Sequence, residues 1–236
     1  MKRKISISLF TLLLFFQNTY CQEKSNRIYS FNLTEIYFYK YKPEFIIKAT
    51  KDFKNIKNEF PEELIQSILS CSNEEWEIFN TLGGRQKADI NDQSHYDRVK
   101  KMNVDKNYFE LKHKLEFEID GIPTAIVKFY FITQESPKPQ AGITVMQKYA
   151  GRWYKTSMKM VSNLAMTALR LKTDELEKII LEKNESPQLQ ELNKRVFIKG
   201  KLDFNKLNQE IDSWYIDKSI NNLNKKDYFK DPYSIL

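Results

Sequence analysis

Residues 108–133 read YFELKHKLEFEIDGIPTAIVKFYFIT. Strand side chains alternate between faces, and here the polarity alternates too. Leu111, His113, Leu115, Phe117 and Ile119 fall on one face, and Glu110, Lys112, Lys114, Glu116 and Glu118 on the other. Asp120-Gly121 then supplies the two-residue turn that tolerates positive φ at both positions, so the stretch predicts a β-hairpin. Its second strand, IPTAIVKFYFIT, is apolar on both faces, as an interior strand should be. The charged row of the first strand suits a sheet edge or a solvated side.

Working outward, the loop QESPKPQAG leads to a third strand, ITVMQKY, and Ala150-Gly151 turns it into RWYKTSMKM. Upstream, Pro61 with Glu62 and Glu63 forms a first helical turn, and Leu64, Ile65 and Ile68 give the helix 61–71 its apolar side. Ser72 or Asn73 can cap a second helix that runs through Trp76 and Phe79 to Gly83-Gly84. The polar stretch 85–106 reads as a loop and a short helix. The aromatic and β-branched opening from Ser25 reads as a strand or an irregular segment, followed by a helix over residues 43–57. Beyond Met160, VSNLAMTALRL, TDELEKIILEK, a helix restarted at Ser186-Pro187 and ending near Gly200, and the face Phe204, Leu207, Ile211 and Trp214 all carry helical spacing. The fold class expected is α+β: N-terminal helices packed on a twisted antiparallel sheet of three to five strands, followed by a helical C-terminal region. An α+β domain over 22–160 and a helical extension over 161–236 are the expected units.

The first residues give an address. MKRK is basic, ISISLFTLLLFF is an apolar run short for a bilayer span, and QNTYCQ is a polar exit, the layout of a signal peptide over residues 1–21. Export to a periplasmic or extracellular space follows. Cleavage after Cys21 would leave Gln22 first. A lipid anchor on Cys21 is the alternative, although Asn18, Thr19 and Tyr20 are poor lipobox residues. Losing Lys2, Arg3 and Lys4 lowers the formal charge of +7 by three, to +4. Lysines alternate with acids along the remainder, so no clustered basic footprint favours nucleic acid. No second apolar stretch reaches membrane-span length.

Cys71 is left alone after such cleavage, and its place on an apolar helix predicts a buried core thiol. Two distant histidines and one cysteine do not make a zinc set. Asp89, Asn91, Asp92 and Asp97 have some calcium-loop spacing, but Ser94 replaces the glycine and Lys100 the bidentate glutamate. Gly83-Gly84 lacks the context of a phosphate loop, and no motif asks for a cofactor. Trp153, Tyr154 and Trp214 read as core aromatics or, as the alternative, an exposed ligand surface.

Over residues 58–160 the order of elements, with ITVMQKYAGRWYKTS and its Gly151, Arg152 and Trp153, resembles the SnoaL-like or nuclear-transport-factor-like α+β cone. The resemblance implies helices packed into the concave side of a curved sheet. It implies no single activity, since such folds serve isomerases, dehydratases, carriers and secreted proteins alike. The long helical C-terminus departs from that pattern.

His113 is the one chemically suggestive residue. With Ile119 and Ile122 flanking the turn, Phe117 faces Thr124, Leu115 faces Ile126, His113 faces Lys128 and Leu111 faces Tyr130. A pocket reading makes His113, Lys128 and Tyr130 a ligand-binding group, with Lys128 keeping His113 neutral as a general base requires. A structural reading makes them polar groups near the open end of a hairpin, where a lysine can reach water. A bulge between the strands would move Lys128 away. The balance falls on the structural side. The function expected is an exported, non-enzymatic protein binding a partner protein or small apolar ligand; the alternative is a cone-fold enzyme with His113 as base.

Overall fold

The computed structural model describes residues 20–25, 29, 33, 35–83, 90–136, 138–157, 159–183, 185–211 and 215–219. The segment 1–19, the calcium-like Asp89, Trp214 and the tail from 220 lie outside the described residues. The class is α+β, and the described residues form one seven-stranded antiparallel sheet, a two-stranded ribbon and seven α-helices.

The hairpin forms as read. Strands β4 (Tyr108–Ile119) and β5 (Ile122–Ile132) are joined by Asp120-Gly121, with φ of 51° and 75°. Both angles lie in the left-handed region that this turn requires. On the far side of β5 stand β6 (Gln140–Tyr149) and β7 (Arg152–Lys155), turned by Ala150-Gly151 at φ of 48° and 82°.

β4 is not an edge. β1 (Tyr20–Lys24) pairs with β2 (Tyr37–Tyr41), and β2 pairs with β4 at residues 113–116. β3 (Ile46–Lys48) takes the same side of β4 at residues 108–110. The sheet therefore exceeds the three to five strands expected, because residues 20–24, 37–41 and 46–48 contribute three more. The helix expected at 43–57 is instead β3 and a 3₁₀ turn at Phe53–Asn55. Backbone pairing along β4 outweighs its helical spacing.

Both faces of the sheet are covered. Helix α1 (Pro61–Ser70) lays Leu64, Ile65 and Leu69 on Val127, Phe129, Met146 and Trp153. On α2 (Glu74–Asn80) the Asn73 side chain accepts the Trp76 N–H at 2.8 Å, so the cap is asparagine. That helix stops at Thr81, before the glycines, because Thr81 bridges Lys155 of β7. Helix α3 spans Ile90–Lys101. The opposite face receives α4 (Ser162–Arg170), α5 (Thr173–Ile180), α6 (Pro187–Val196) and α7 (Phe204–Glu210). Leu164, Ala168, Leu176, Ile179, Leu192 and Phe204 share one core with Phe38, Leu115, Phe117, Ile126 and Val145. Instead of running to Gly200, α6 gives way to a small ribbon, β8 (Phe197–Ile198) and β9 (Lys201–Leu202).

One irregularity sets the faces of β4. The register shifts between Leu111 and His113, so Leu111 lies opposite Phe129 rather than Tyr130. A bulge adds one residue and reverses the facing of what precedes it. Phe109 and Leu111 thus join the α1 side, while His113, Leu115 and Phe117 keep the other. The pairing of His113 with Lys128 survives because the extra residue comes before it.

Candidate functional site

The structure brings the three predicted residues together. His113 and Lys128 are paired and fully buried, and Tyr130 follows Lys128 on the same face. The residue that organises them is one that sequence reasoning did not name, Asp217. The Lys128 ammonium donates to Asp217 Oδ2 at 3.0 Å and to the Leu171 carbonyl at 2.7 Å. The Tyr130 hydroxyl donates to the same Oδ2, and the Ser219 hydroxyl donates to Oδ1 at 2.6 Å. Backbone bonds hold Asp217 in place: its N–H reaches the Arg170 carbonyl at 2.8 Å, and the Lys172 N–H reaches that of Tyr215 at 3.0 Å.

This arrangement governs protonation. Burial raises the Asp217 carboxyl, but Lys128, Ser219 and Tyr130 outweigh it and hold the group below the ordinary aspartate range. Burial lowers the Lys128 ammonium, against the pull of Asp217. Burial also raises the Tyr130 phenol, with Asp217 acting in the same direction. His113 is pushed well below its usual value, first by burial and then by Lys128, with Asp217 and an Ala168 backbone group opposing. Its Nδ1 lies 3.1 Å from the Thr173 hydroxyl, its Nε2 meets no well-formed hydrogen bond among the described residues, and Phe38 stacks at 5.7 Å. The imidazole is neutral, but the C-terminal helices cover it.

A pH effect follows. Because His113 has a lower pKa folded than unfolded, its contribution is complete above the unfolded value of about 6.5 and is lost as pH falls toward the folded value. Stability should decline below that pH with a slope approaching about 1.4 kcal/mol per unit from this group. Urea unfolding at stepped pH should show a flatter acid limb in His113→Gln than in the parent chain.

No family model, curated protein or solved structure matches this chain.

On the α1 face, the charged row of β4 is not simply solvated. Lys114 is buried, holds Glu62 of α1 and Glu116 at 2.9 Å each, and covers the Tyr39 ring at 4.5 Å. The pair clamps helix to sheet. Beyond it, at the Asp120-Gly121 end, lies a groove of about 310 Å³ lined by Glu35, Tyr37, Glu116, Phe117, Glu118, Pro123, Thr124 and Trp153. Glu35 binds Lys24 and accepts the Tyr37 hydroxyl at 3.0 Å. Glu118 is exposed and makes no ion pair among the described residues.

The remaining candidates fall elsewhere. Cys71 is buried beside Trp76 and Tyr96. Trp153 is buried, and Tyr154 is half-buried against Arg152. Among the described residues no group of histidine, cysteine and acidic side chains is placed to hold a metal, and no helix is long and apolar enough to cross a membrane.

Proposed function

We propose that the chain is an exported, non-enzymatic binding protein whose ligand enters the groove at the Asp120-Gly121 end of the sheet. The observation that carries this reading is the pairing of an open concavity with aromatic and carboxylate walls. A cation is attracted both by a ring face and by a carboxylate, and an apolar body finds cover beside Pro123 and Phe117. The ligand class is therefore an apolar group carrying an ammonium or guanidinium, on a partner protein or on a small molecule. Export rests on the basic, apolar and polar succession of residues 1–21. The enzymatic alternative with His113 as base has no comparable support, since the imidazole has no exposed atom to offer a substrate.

Benzamidinium and benzoate, equal in shape and opposite in charge, test the groove. In a ¹H–¹⁵N NMR titration, benzamidinium should shift the Trp153 indole and the Thr124 amide, and benzoate should not. Glu118→Lys should weaken the benzamidinium response several-fold. Equal responses to the two compounds, or none, would remove the groove as a cation site.

A further inference from the structure

We infer that the β8–β9 ribbon is an insertion tip for an anionic lipid surface. Its base is fixed. Val196 and Leu202 are fully buried, the Asp203 N–H reaches the Val196 carbonyl at 3.0 Å, and Leu202 bridges Tyr29, whose ring stacks on Phe204 at 5.6 Å. Beyond this base, Lys199-Gly200 makes the turn with φ of 51° and 76°.

The tip carries Phe197 and Ile198, 38% and 41% exposed. Phe197 lies opposite the buried Leu202 and Ile198 opposite Lys201, so Ile198 stands at the outer end among the lysines with Phe197 behind it. An apolar tip ringed by cationic groups suits the headgroup and acyl boundary.

Charge points the same way. Residues 191–210 hold Lys194, Arg195, Lys199, Lys201 and Lys206 against Glu191, Asp203 and Glu210. Glu191 and Glu210 pair with Lys194, Arg195 and Lys206, whereas Lys199 and Lys201, next to the turn, make no ion pair among the described residues. Their stems can lie along the apolar tip while the ammonium groups meet lipid phosphates. The surface is separate from the groove and does not depend on it.

Flotation of the chain from Gln22 onward with phosphatidylcholine vesicles, with and without phosphatidylglycerol, tests the inference. Binding is expected only to the mixed vesicles and should weaken with salt. Lys199→Gln with Lys201→Gln should reduce partitioning about thirtyfold, which corresponds to ~1 kcal/mol per lysine. An environment-sensitive dye on Ile198→Cys should shift to the blue on mixed vesicles; the buried Cys71 is protected from the label. Absence of binding to the mixed vesicles would overturn the inference. So would binding that is indifferent to both lysines, or a dye that stays in water while the chain is bound. Capture by an acidic polypeptide with no vesicle binding would assign the tip to a protein instead.

Discussion

Asp217→Ala is expected to lower the unfolding free energy by about 3–5 kcal/mol, the cost of leaving one member of a buried ion pair alone. Lys128 is fully buried, and its two acceptors are Asp217 and one backbone carbonyl. Removing the carboxylate leaves a cation in an apolar core, and the Tyr130 hydroxyl loses its acceptor as well. Lys128→Met combined with Asp217→Ala should recover most of the loss, because no uncompensated charge then remains. The sign of the pH dependence is set by the lowered Asp217 carboxyl. Its contribution is complete above the unfolded value near 4 and disappears as pH falls through the folded value. Chemical denaturation of the single and double variants between neutral and acidic pH gives both the coupling and the window. Full stability in Asp217→Ala would show that the pair holds nothing.

Gly142→Ala should cost about 3 kcal/mol, at the upper end for overpacking a core. Gly142 lies opposite Phe129 across β5 and β6, and a Cβ placed there would enter the Phe129 ring. The ring cannot readily retreat. It stacks on Phe109 at 4.2 Å, and Phe109 meets Phe131 edge-on at 5.2 Å. Phe129→Leu should partly relieve the alanine variant while being costly by itself, so the two changes should be strongly non-additive. Additive losses in thermal unfolding would mean that the ring has room to move.

The central hairpin was legible because every local signal agreed: alternation along β4, the Asp-Gly turn, and apolar residues on both faces of β5. Helix α1 was legible through Pro61 and its two glutamates, and the buried state of Cys71 through its apolar helix. The bulge at Lys112 was not, because nothing in KHK marks an extra residue. It moved Leu111 and Phe109 to the opposite face without disturbing the His113 and Lys128 pair. Lys114 looked solvated for a similar reason. Strict alternation with glutamates hides a lysine whose partner, Glu62, lies 52 residues away on a helix.

For the candidate site, the hairpin register alone placed His113 beside Lys128 and left Tyr130 two residues further along. Asp217 is 89 residues from Lys128 and belongs to no periodic stretch. A buried lysine calls for a carboxylate, but local order cannot say which one. Alternation, turn chemistry and helix starts are properties of neighbours, and these the amino-acid order determined. Which strands flank β4, which helices shut away His113 and which acid neutralises Lys128 depend on contacts across the chain, where burial and charge compensation act between residues distant in order. Only the tertiary structure decided those.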